Sequence, residues 1–202
     1  ANTGNFREYK RIFKEFGIEG LILGDISDVF DSPLDGTYRV YPGGTPLEEA
    51  ADSINGKATI TVGPRASVKT FKWVSENYSG KHVSLPMPLG IANTDAFLME
   101  IAELTGHAVP ESLKEERGRA VDAMTDAHQY IHGKKFALYG DPDQLMGYIS
   151  FLLEMGAVPY HIVCSKGTIR SARRSRPCST PPPTGPRRRS TWARTSGTCA
   201  AC

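Results

Sequence analysis

Cysteine is nearly missing from most of this chain. Residues 1–164 hold only Cys164, and the other three cysteines, Cys178, Cys199 and Cys202, crowd into the end. So sparse a supply excludes a disulfide scaffold and suits a reducing cytoplasm. Long apolar runs are missing too. The longest, such as Gly20–Leu23 and Ile149–Leu153, fall far short of the roughly 20 residues that span a bilayer. No basic stretch followed by an apolar one opens the chain, so no signal peptide is read. The lack of an initiating methionine is expected of a chain cut from something longer. Acidic residues vanish after position 164. The final 38 residues contain Lys166 and eight arginines without one Asp or Glu. These nine take their share of the 24 basic residues, leaving 15 against all 22 acids in residues 1–164. The net charge of +2 therefore hides an acidic body of about −7 and a basic tail of +9.

What is present reads as alternating helices and strands. At 202 residues and 40% hydrophobic content, the chain can bury an ordinary core in one domain or two small ones. Phe6, Tyr9, Ile12, Phe13 and Phe16 share one face of a helix over 5–16, which Gly17 ends. Gly20–Asp25 has the look of a short buried strand. Ser32-Pro33-Leu34-Asp35-Gly36 is turn chemistry. Thr45-Pro46-Leu47-Glu48-Glu49 predicts a helix with Thr45 as N-cap and Pro46 at the first helical position. Strands are expected at 58–62, 82–85, 135–139 and 158–164. Helices are expected at 67–78, from 93 onward, at 110–132 and at 141–155. This alternation predicts an α/β fold with a largely parallel sheet.

The motifs that could carry chemistry are weak. Gly140-Asp141-Pro142-Asp143 lies at a strand-to-helix turn, where α/β folds place ligands. Its two carboxylates would repel phosphate, so Asp141 is read as an N-cap with Pro142 behind it. His128 and His132 have the spacing of two zinc ligands, but Gln129 stands where H-E-x-x-H needs Glu and no third ligand is evident. Packing, or a charge at the helix end, is the preferred reading. Glu115, Glu116, Arg117, Arg119, Asp122 and Asp126 read as a solvated face with i,i+4 pairs, with a subunit interface as the alternative. Pro42-Gly43-Gly44 lacks the spacing of a phosphate loop. Cys164 reads as a small buried apolar residue, and Cys199-Ala200-Ala201-Cys202 is weak evidence for metal or redox chemistry.

Several stretches, taken in order, resemble the β-chain family of molybdenum–iron nitrogenase. They are Thr3-Gly4-Asn5-Phe6-Arg7-Glu8, Arg39-Val40-Tyr41-Pro42-Gly43-Gly44-Thr45, Pro86-Met87-Pro88-Leu89-Gly90 and Thr94-Asp95-Ala96-Phe97-Leu98-Met99. The strongest run extends from Lys114-Glu115-Glu116-Arg117-Gly118-Arg119 to Gly140-Asp141-Pro142-Asp143. The resemblance covers residues 1–168. It implies parallel-sheet, Rossmann-like units of the nitrogenase component 1 fold. It assigns residues 1–109 to part of a second α/β domain, and 110–168 to a linking helix and the start of the next. It implies a cytoplasmic α2β2 partner complex with the α chain, which reduces dinitrogen with electrons from an ATP-dependent iron protein. The whole complex would carry an 8Fe-7S P-cluster shared with the α chain and an iron–molybdenum cofactor in the α chain. The β-chain cluster cysteines belong upstream of Ala1, so no residue here is assigned a catalytic, cofactor-binding or metal role. A cofactor-assembly scaffold chain of the same superfamily is the alternative.

Past Thr168 the pattern stops, and residues 169–202 are expected to be a frameshifted, disordered tail. Each tail codon's last base, read with the next codon's first two from Pro177 to Cys202, can give LLDASPYGPAAKVYVGKDLWHLRSL. That string resembles the family's continuation. Some of it is forced: Trp192 followed by Ala193 must yield Gly. On this reading Arg187-Arg188-Arg189 and the tail cysteines carry no evolved role. A nucleic-acid-binding protein with a basic arm is the remote alternative; neither nucleic acid nor membrane is expected as a partner.

Overall fold

The computed structural model describes residues 2–29, 34–37 and 43–165. The turn at Ser32-Pro33, the Arg39–Pro42 stretch and the tail reading at 169–202 lie outside the described residues. In chain order the elements are α1 (Thr3–Glu15), α2 (Leu47–Asp52), a 3-10 turn (Ser53–Asn55), β1 (Ala58–Val62), α3 (Val68–Asn77), β2 (Lys81–Leu85), α4 (Gly90–Thr105), α5 (Glu111–Ile131), β3 (Lys135–Gly140), α6 (Pro142–Glu154) and β4 (Val158–Cys164).

The α/β expectation holds. β1 pairs in parallel with β2, from Ala58 opposite Lys81 to Val62 opposite Leu85. β3 pairs in parallel with β4, with a register shift between Phe136 and Ala137. A helix crosses over within each pair, as parallel strands require. α5 runs between the two pairs.

One expected strand is corrected. Gly20–Asp25 is loop, with Leu21 and Leu23 exposed. Among the described residues no strand pairs with this run. The Thr45 hydroxyl donates to the Ile22 carbonyl at 2.6 Å and accepts from the Asp25 amide. That hydroxyl is thus not the cap of α2, whose N-cap position is Pro46. Side-chain bonding has replaced both the ladder and the cap.

The first core joins α1, α4, α5 and the first sheet. Ile12, Phe16, Phe97, Leu98, Ile101 and Leu113 are buried together, flanked by Ile60, Val62 and Leu85. Tyr9 tilts against Phe97 with ring centroids 5.5 Å apart. In the second unit Leu145, Met155 and Ala157 are buried. One face of the β3–β4 sheet leaves Tyr139, Tyr160 and Val163 exposed, whereas parallel sheets ordinarily have both faces covered.

Candidate functional site

The sequence candidates fall around α5 and α6. At the end of α5, His128 and His132 stack with ring centroids 4.7 Å apart and planes tilted by 36°. His132 packs over Gly156, where an added Cβ would collide with His132 Nδ1 and force the ring to shift. Its amide donates to the His128 carbonyl. Among the described residues no three His, Cys, Asp or Glu side chains gather as a metal site. The pair closes the helix end and packs it on the turn after α6.

At the turn after β3, Asp141 holds the N-cap position of α6 with Pro142 at N1, as its sequence predicts. Its carboxylate caps nothing, however. It accepts from the Ser165 hydroxyl at 2.6 Å. Asp143 is buried and turned toward the first unit, where it accepts from the Arg65 and Ala66 amides at 3.0 and 2.7 Å. Gly43 and Gly44 lie close against Ser27, Asp28 and Asp25, so that pair serves a close backbone approach.

The charge run on α5 is a largely exposed face, as expected, but only part of it pairs within the helix. Arg119 and Glu115 form an i,i+4 pair at 3.7 Å. Arg117 instead makes two hydrogen bonds to Asp95 of α4, 2.8 and 2.9 Å long, and Glu116 bonds Arg11 of α1. These bonds raise the pKa of both arginines, which stay charged. Beside Arg117 an open groove of about 610 Å³ lies between α4, α5 and the end of α6. Ile91, Val121, Met124 and Met155 give it apolar walls, and Asp95, His128 and Glu154 line it too. α5 buries only Leu113, and its Val121 and Tyr130 are exposed.

Cys164 is half-buried at the end of β4 and forms no disulfide. An iron–sulfur cluster takes several thiolates, so the described residues do not fit one. Cys178, Cys199 and Cys202 lie outside the described residues. Sequence reasoning missed Glu154, which accepts from the Ile91 and Ala92 amides at 2.7 and 3.0 Å. The signal that could have marked it is a carboxylate at the wrong end of its own helix.

Comparison with known proteins agrees with this architecture. The family model for nitrogenase component 1 type oxidoreductases matches residues 1–179, continuing past the change of composition at 169. The nitrogenase molybdenum-iron protein beta chain of Nostoc sp. is 51% identical over 165 residues, covering 82% of this chain and 32% of the relative. That of Azotobacter vinelandii is 46% identical over 167 residues, covering 83% and 32%. A solved structure titled nitrogenase Cp1 at pH 6.5 superposes with a TM-score of 0.82 at 36% identity, covering 86% of this chain and 38% of that one. The chain thus spans about a third of the length of the curated relatives it matches. It belongs to the nitrogenase component 1 type oxidoreductase family.

Proposed function

We propose that this chain is a segment of a molybdenum–iron nitrogenase β subunit that serves the complex by packing and support, without presenting catalytic side chains. The observation that carries the reading is the 51% identity to a β chain over 165 residues, 82% of this chain. That same identity favours the catalytic β chain over a cofactor-assembly scaffold. The exposed length of α5, with its apolar groove, gives a surface for subunit contact. Its partners would be the α chain, a second αβ dimer and, transiently, the ATP-dependent iron protein, in the cytoplasm. No described helix is long and apolar enough to cross a membrane.

The P-cluster and the iron–molybdenum cofactor belong to the rest of that complex. The donor set of the described residues, with Cys164 as its one thiol, does not suit either group. Residues 1–109 would form part of one α/β domain, with 110–168 opening the next. Residues 169–202 would be the product of a shifted reading frame, which resequencing the coding DNA tests directly.

The functional reading is tested by a chimera. Residues 2–165 replace the matching third of the Azotobacter vinelandii β chain, and assembly with the α chain and dinitrogen reduction are measured. An assembled, active tetramer supports the reading. A chimera that folds yet fails to join the α chain overturns it.

A further inference from the structure

We propose that α6 is a two-ended carboxylate clamp, filling from within the chain the two anion-receptive positions at the carboxyl ends of β1 and β2. The inference stands independently of the nitrogenase reading. In a parallel α/β sheet, the turns leaving the strand ends present backbone N–H groups that can receive an anionic ligand. Here both turns are already occupied. α4 begins at Gly90 with Leu89 at its N-cap, and Leu89 has no side-chain acceptor. The orphan amides of Ile91 and Ala92 donate instead to the two oxygens of Glu154. The turn between β1 and α3 repeats the arrangement, with the Arg65 and Ala66 amides on the two oxygens of Asp143.

Asp143 and Glu154 stand three helical turns apart, roughly 16 Å along α6, and so share one face of it. Asp143 also sits favourably at the start of its own helix. Glu154 does not, because a carboxylate at a helix C-terminus opposes the macrodipole. Its placement makes sense only toward the N-terminus of α4.

Three glycines fit the clamp from an independent direction. A Cβ at Gly90 would fall 2.7 Å from Glu154 Oε2, and one at Gly63 would fall 3.2 Å from Asp143 Oδ2. Both glycines have positive φ, +81° and +88°. Between the two carboxylates, a Cβ at Gly147 would fall 2.6 Å from Leu89 Cδ1. The chain keeps side chains out at each point where α6 closes on the two turns. The turns are therefore closed to a ligand anion and held to α6.

The test uses the full chain with Glu154→Ala and Asp143→Ala, read by amide hydrogen exchange at residues 65, 66, 91 and 92. Glu154→Ala should speed exchange at Ile91 and Ala92 by about tenfold or more, the scale of losing a charge-assisted hydrogen bond. Asp143→Ala should do the same at Arg65 and Ala66. Acetate, compared with chloride at equal ionic strength, should slow exchange again by seating a carboxylate in the vacated turn. Unchanged exchange at these amides, or acetate protecting no better than chloride, overturns the proposal. If an alanine variant does not fold, Glu154→Gln and Asp143→Asn keep the shape, and the same exchange at the same amides decides.

Discussion

Arg11 of α1 and Glu116 of α5, separated by 105 positions, are joined by two hydrogen bonds of 3.0 and 2.7 Å. The same guanidinium also bonds Glu8, and its hydrogen bond to Arg11 lowers the Glu8 pKa despite partial burial. The Arg11 and Glu116 side chains are 37% and 42% exposed, so water screens most of the attraction. Glu116→Gln is expected to destabilise the chain by about 0.5 kcal/mol, and less in high salt. A double-mutant cycle with Arg11→Met checks this; a coupling near 2 kcal/mol would show that screening had been overestimated.

Ile101 carries the first core. It is 1% exposed and packs among Ile12, Phe16, Phe97 and Leu113, residues of three different helices. Ile101→Ala removes buried methyl groups and leaves a cavity that those helices cannot all collapse into, at a cost of about 3 kcal/mol. Ile101→Val should cost only about 1 kcal/mol. Denaturant unfolding of both variants checks the ratio, and equal losses would place Ile101 outside a close-packed core.

Two helical glycines should respond oppositely to alanine. Nothing lies within 4 Å of a Cβ added at Gly118 of α5. There the helix-propensity gain of about 1 kcal/mol is unopposed, and Gly118→Ala should stabilise. At Gly147 the added Cβ meets Leu89 Cδ1, Cβ and Cγ at 2.6, 3.2 and 3.3 Å. The whole leucine must shift, so a clash of about 2 kcal/mol outweighs the propensity gain. Melting temperatures of the two variants should therefore move in opposite directions.

How far the fold was legible follows from which interactions are local. Ala58–Val62 reads as a strand because Thr59, Ile60, Thr61 and Val62 are β-branched. The helix over 111–131 is likewise written in its own residues. Gly20–Asp25 has the same apolar look as a strand but no pairing strand among the described residues, and pairing is a non-local property that the run cannot declare. Thr45 and Asp141 were placed correctly near helix starts, yet their acceptors and donors lie 23 and 24 positions away. Glu154 acts on amides 63 and 62 positions earlier. No spacing rule reaches that far, so the α6 contacts emerge only when the two units meet.

Asp25 sets the expected acid response. Burial alone would push its pKa up. The Lys10 ammonium, the Ser27 hydroxyl and the Ser27 amide together outweigh burial and hold it below the ordinary carboxylate range. A carboxylate depressed in the folded state binds its proton more weakly there than in the unfolded chain. Its contribution is thus fully present above the unfolded value of about 4, and is lost as pH falls through the lower folded value. Asp25→Asn removes the titrating group while keeping its shape. The wild-type chain should lose stability more steeply than Asp25→Asn as pH drops below about 4. Unfolding midpoints measured across that acid range decide the point. Parallel curves would mean that the Lys10–Asp25–Ser27 cluster does not govern the acid limb.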